Sequence, residues 1–291
     1  MIKRLQLLLL AVATLLVSSS VGAFAFFVTS SSNPQQLGNS DRGQPVIWKE
    51  SSVAIGINVN SAPYRQAVLE VMSHWNSAGA EITLVEGMPL SSACSHRDGL
   101  NNLEVAESYC GAPWGDALGF TVVSAQSLGG ETVLVEADTL LRSFVSDPTS
   151  EWSVDGADPR LPVDTSCYGN SRGGVSCDFP RVVLHELGHA MGLSHPDELG
   201  QQVTAVMNSG KTSTVVPKQL ATDDIEGLKT LYQQGRGAID GTAGLTTNVA
   251  SSDSDSSGGG GGGLFAVGLL FLLMVRLLWG SSILGSDYEK Q

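Results

Sequence analysis

Positive charge is scarce in this chain. Sixteen lysines and arginines stand against 29 aspartates and glutamates over 291 residues, a net charge of −13, and no basic cluster is present. That balance argues against a partner with a phosphate backbone and favours solubility, so nucleic acid is excluded as a partner class. Histidine is scarcer still, with five residues, and three of them fall within one short stretch. Cysteine is limited to Cys94, Cys110, Cys167 and Cys177, none near another metal-like cluster. No internal repeat is present.

Long apolar runs are confined to the two ends. Met1-Ile2-Lys3-Arg4 precedes an apolar run from Leu5 to Val17, and Ala23 and Ala25 offer an A-x-A cleavage site. A basic start, an apolar run and a small-residue site read as a secretory signal peptide over residues 1–25. Phe24, Phe26, Phe27 and Val28 lengthen the apolar region towards a membrane span, so an uncleaved anchor is the alternative. Residues 26–45 then form a short N-terminal segment. Export suits the cysteines, because an even number in an oxidising compartment favours disulfides. Of the three connectivities, Cys94–Cys110 and Cys167–Cys177 each close a short local loop and are the expected pairs.

Composition shifts again beyond the expected domain at 46–233. Residues 234–263 are rich in Gly, Ser and Asp and end in six glycines, Gly258 to Gly263. Such a stretch cannot bury a core and reads as a flexible linker. Residues 264–284 hold the apolar run Leu264 to Val275, then Arg276 and Leu277-Leu278-Trp279, followed by a polar tail at 285–291. Isolated by the glycines, this run points to membrane association, although it is short for a stable span.

Between the ends, Val53–Val59, Glu81–Val85, Phe120–Ser124 and Thr132–Glu136 read as strands. Tyr64–Ala78 reads as a helix with Val68, Val71, Met72 and Trp75 on one stripe. The chemistry lies at His185-Glu186-Leu187-Gly188-His189-Ala190-Met191-Gly192-Leu193-Ser194-His195. Histidines four apart share one helix face, so His185 and His189 can reach one metal ion. Gly192 permits a left-handed turn that ends the helix and swings His195 back as a third nitrogen ligand. Three histidines with an open fourth position make a catalytic zinc site rather than a closed structural one. Glu186, beside the ligands, is the candidate general base. His74 and His96 are read as surface or core residues.

This long motif resembles the metzincin zinc peptidases. Met207, twelve residues after His195, stands where that family places its Met-turn. The segment Leu220-Ala221-Thr222-Asp223-Asp224-Ile225-Glu226-Gly227-Leu228-Lys229-Thr230-Leu231-Tyr232 resembles the closing helix of the matrixin branch, L-x-x-D-D-I-x-G-I-x-x-L-Y. Thr222 can cap that helix, and its acidic pair suits the positive end. The resemblance spans about Val46 to Tyr232 and implies an α/β (α+β) catalytic domain, a twisted mixed sheet with two to three helices. It also implies one catalytic Zn2+, held by His185, His189 and His195, whereas calcium is left unassigned. Pro196 stands where matrixins usually have Ser, and Ser209 where serralysins place a tyrosine ligand. Ser124 to Leu141 contains no histidine, so the second, structural zinc of animal matrixins is not expected. No cysteine precedes Cys94, so their cysteine-based latency is not expected either. In the family, Asp223 and Asp224 correspond to a pair that can hold a freed N-terminus.

The C-terminal run resembles the bacterial GlyGly-CTERM sorting signal, which implies a Gram-negative source and trimming by a rhomboid-type membrane protease. Permanent anchoring by the same run is the alternative. The sequence thus points to an exported zinc-dependent endopeptidase acting on extracytoplasmic proteins or peptides, secreted or held at the cell surface. The competing reading is a surface-displayed protein-binding module with a vestigial zinc site. Val215, Val216 and Pro217, after the Met-turn, suggest an apolar substrate pocket.

Overall fold

A computed structural model describes residues 24–29, 37–154, 166–210 and 217–233. The expected leader up to residue 23, the expected linker at 234–263, the apolar segment at 264–284, the tail at 285–291, and Val215 and Val216 lie outside the described residues. Among the described residues, no helix is long and apolar enough to cross a membrane.

A five-stranded mixed sheet carries the domain. Its strands are β3 (Ser52–Asn58), β4 (Thr83–Gly87), β5 (Asn102–Ala106), β6 (Gly119–Leu128) and β7 (Glu131–Arg142), in the order β4-β3-β5-β7-β6. The first four in that order run parallel, and β6 pairs antiparallel with β7 as an edge strand. Helix α1 (Ala62–Ser77) buries Val68, Val71, Met72 and Trp75, as its stripe predicts. Each such side chain contributes about 1.5–3 kcal/mol of burial free energy. The Trp75 indole also donates to Leu184 O at 2.9 Å and so joins α1 to α2 (Phe179–Ala190). Helix α3 (Thr222–Tyr232) closes the domain. Mixed sheet and three helices agree with the expected fold class.

Sequence periodicity locates four of the sheet strands and misses β5. Leu103 and Val105 do alternate with polar Asn102 and Glu104, but over only five residues, so the pattern is too short to stand out. Asn102 is nonetheless buried, and its backbone N–H donates to Asp138 Oδ1 at 3.2 Å.

The chain before Val46 is part of the same core. Strand β1 (Ala25–Thr29) pairs with β2 (Leu37–Ser40) and with the two-residue β11 (Leu193–Ser194). Phe24, Ala25 and Phe26 are buried, and a Cβ on Gly227 of α3 would stand only 2.8 Å from Phe24 Cβ. Apolar residues that read as an extension of the leader therefore pack as a strand, and the fold begins well before Val46.

Both expected disulfides form, Cys94–Cys110 and Cys167–Cys177. Strands β8 (Glu151–Ser153), β9 (Cys167–Gly169) and β10 (Val175–Asp178) make a small sheet in the order β8-β10-β9. Cys177 lies opposite Cys167 in that sheet, so the bridge fixes the strand that runs directly into α2.

Candidate metal centre

Helix α2 starts where its sequence permits. Asp178 has extended backbone, and its carboxylate accepts from Arg181 N at 3.1 Å, capping one of the helix's free N–H groups. Pro180 occupies the first turn, where no intrahelical N–H is required. The other end stops at Gly192, with φ +96°, as the left-handed turn requires. The final carbonyls are taken up by side chains remote in sequence. Trp48 Nε1 donates to Ala190 O at 2.7 Å, and Tyr232 Oη donates to Met191 O at 2.8 Å.

The turn at Gly192 brings His195 to His185 and His189. The three Nε2 atoms stand 3.1, 3.1 and 3.0 Å apart. Tetrahedral zinc with Zn–N near 2.05 Å would set its nitrogens about 3.3 Å apart. Tautomers settle which atoms face inward. His185 Nδ1 lies 2.8 Å from Val206 O and His189 Nδ1 lies 2.9 Å from Leu193 O. Carbonyls only accept, so each Nδ1 carries the proton and each Nε2 presents a bare lone pair. His195 Nδ1 is 3.3 Å from Glu198 Oε2, which orients its ring in the same sense. Converging lone pairs repel one another, and a shared cation relieves that repulsion. The donor set therefore fits a zinc ion, with its outer hydrogen bonds already in place. Burial, with His195 second, pulls His185 down to about 4, and burial likewise holds His189 well below the usual imidazole value. Both rings are thus neutral and ready to ligate at neutral pH.

Glu186 leans away from this triangle towards edge strand β6. Thr121 Oγ1 donates to Glu186 Oε2 at 2.8 Å and also lies within hydrogen-bonding distance of Glu186 O and Thr139 Oγ1. Gly119 leaves the space for the carboxylate, since a Cβ there would come within 2.8 Å of Glu186 Oε1. Burial pushes the Glu186 carboxyl up to about 7, opposed by the Thr121 hydrogen bond. Its proton affinity is therefore matched to gaining and losing a proton near neutrality. Neither Gly119 nor Thr121 stands out in the sequence. Only the strand's approach to the helix gives them a role.

Met207 sits beneath the ligands, buried against Gly188, where any Cβ would collide with its sulfur. The turn bearing it is held from two sides. Asp224 accepts from Val206 N (2.9 Å), Met207 N (3.1 Å) and Ala221 N (2.8 Å). The Asp224 carboxylate is thus committed to the Met-turn and the start of α3. It also corrects the capping assignment: Thr222 is the first helical residue, and Asp224 reaches back to the backbone of Ala221 instead. On the other side, Ser209 N and Oγ donate to Asp197, each at 2.8 Å. Ser209 therefore ties the Met-turn to the 3-10 turn (Asp197–Leu199) that follows His195.

Strands β1 and β2 brace the third ligand. Ala25 pairs with Ser194, Phe27 N donates to Gly192 O at 3.2 Å, and Asn39 Nδ2 donates to His195 O at 2.8 Å. Sequence spacing identifies the ligands but not these supports.

A comparison with curated proteins finds no match to the chain. Residues 123–233, which run from within β6 to the end of α3 and contain all three histidines, match the model of the matrixin peptidases, so over that stretch the chain is similar to a family of zinc metallopeptidases.

Proposed function

We propose that the chain is an exported zinc endopeptidase that hydrolyses peptide bonds of extracytoplasmic proteins. The observation that carries this reading is the convergence of three bare Nε2 atoms at 3.0–3.1 Å beside a buried carboxylate. His185, His189 and His195 would hold the ion, which supplies Lewis acidity to a water and to the scissile carbonyl. Glu186 takes the water's proton and delivers it to the leaving amine, while Thr121 and the space at Gly119 keep the carboxylate in place. Among the described strands β6 pairs only with β7, so an extended substrate can add along its other edge. An approach along β6 brings the peptide past Gly119 and Thr121, beside Glu186.

Glu186→Ala should retain zinc and lose about a hundredfold or more of peptidase activity on casein or a peptide library. Undiminished activity would remove Glu186 from the mechanism. A fully zinc-loaded wild type that cleaves nothing would favour the binding-module reading instead. Export through a leader whose removal must stop short of the expected boundary at 25, because Phe24 and Ala25 are buried in the core, completes the proposal together with trimming or retention of the segment at 264–284. Mass spectrometry of the native N- and C-termini tests both.

A further inference from the structure

Strand β7 carries a second set of metal donors. Glu136 and Asp138, two residues apart, project from the same face, and both are buried. The loop between β4 and β5 covers them. Arg97 N and Gly99 N donate to the two oxygens of Glu136, the latter at 2.6 Å. His96, between the Cys94–Cys110 bridge and those N–H groups, places Nδ1 3.3 Å from Asp138 Oδ2, while its Nε2 faces Cys110 Sγ. Arg97 holds a left-handed φ of +71°, which a residue with a side chain adopts only when its surroundings impose it. Donor atoms of His96, Glu136 and Asp138 all lie within 4.8 Å of one another.

Charge balance sharpens the point. Two carboxylates are buried side by side, and among the described residues the one ion-pair partner of either is the His96 imidazole beside Asp138, one possible positive charge for two carboxylates. A buried anion needs a compensating charge, and two close together need it more. An imidazole nitrogen combined with two carboxylate oxygens is a donor set that suits zinc, whereas calcium takes oxygens alone. The partly exposed ring leaves room for water to complete the coordination.

We infer that His96, Glu136 and Asp138 form a second zinc site, structural in purpose, that fastens the β4–β5 loop onto the sheet. Two of its donors are carboxylates of β7, and the third is an imidazole from the loop that the Cys94–Cys110 bridge anchors. The site is independent of the proposed peptidase centre.

Zinc content of the full chain, stripped with chelator, reloaded and desalted, tests it. The wild type should bind about two equivalents, His96→Ala and His189→Ala about one each, and the double variant none. Asp138→Asn should match His96→Ala, which guards against a loop defect peculiar to one substitution. In His189→Ala, zinc should still raise the Tm, and adding His96→Ala should abolish that rise. One equivalent in the wild type that His189→Ala removes, or two in both His96→Ala and Asp138→Asn, overturns the second site. Because His189→Ala reports the other centre separately, failure of either site is distinguishable.

Discussion

At the level of single residues, the centre depends on atoms that are not there. Gly119 and Gly188 have no Cβ because Glu186 and Met207 occupy the space one would fill. Gly119→Ala should therefore lower turnover by about tenfold or more while zinc content stays unchanged, since displacing a positioned base costs rate rather than metal. Paired zinc and kinetic measurements check this, and normal turnover would mean that the carboxylate has another resting place. Such residues mark the limit of what the sequence discloses. His185, His189 and His195 are legible because helix geometry alone makes their spacing meaningful. Gly188 lies inside the same motif, yet its importance comes from Met207, nineteen positions on, which spacing within the helix does not encode.

Elements tell a similar story through hydrophobicity, which does not distinguish a leader from a core strand. Phe24 to Val28 read as apolar in either role, and only the pairing of β1 with β11 and the packing of Phe24 against Gly227 decide between them. Phe24→Ala should cost on the order of 3 kcal/mol of stability, read from the urea midpoint, and weaken zinc retention through β11. An unchanged midpoint would place β1 outside the core. Asp224 links two other elements, the Met-turn and α3. Burial raises its carboxyl to about 6, opposed by the backbone N–H groups it accepts from. A raised carboxyl stabilises the fold fully below its unfolded value near 3.8, and that contribution disappears as pH climbs through about 6. The stability advantage of wild type over Asp224→Asn, which does not titrate, should therefore be larger at pH 4.5 than at pH 7.5. Equal gaps at the two values would contradict the shift.

For the molecule as a whole, zinc binding would be coupled to the fold, because the three histidines come from α2 and from the segment after β11, which β1 and β2 hold in place. Chelation should lower the stability, and with it the Tm, in a manner that depends on free zinc, the stability by about 2.7 kcal/mol for each site loaded at a hundred times its Kd. A Tm indifferent to chelator would mean that the three imidazoles are already rigid without metal. The hydrogen bonds closing the end of α2 also have a consequence in time. Trp48 and Tyr232, 184 positions apart, secure neighbouring carbonyls, and Phe24 waits for Gly227. A chain emerging from the ribosome N-terminus first therefore exposes its histidines before the helix that steadies them exists. The proposed metal centre is therefore braced only after Tyr232 has joined Trp48 at the end of α2.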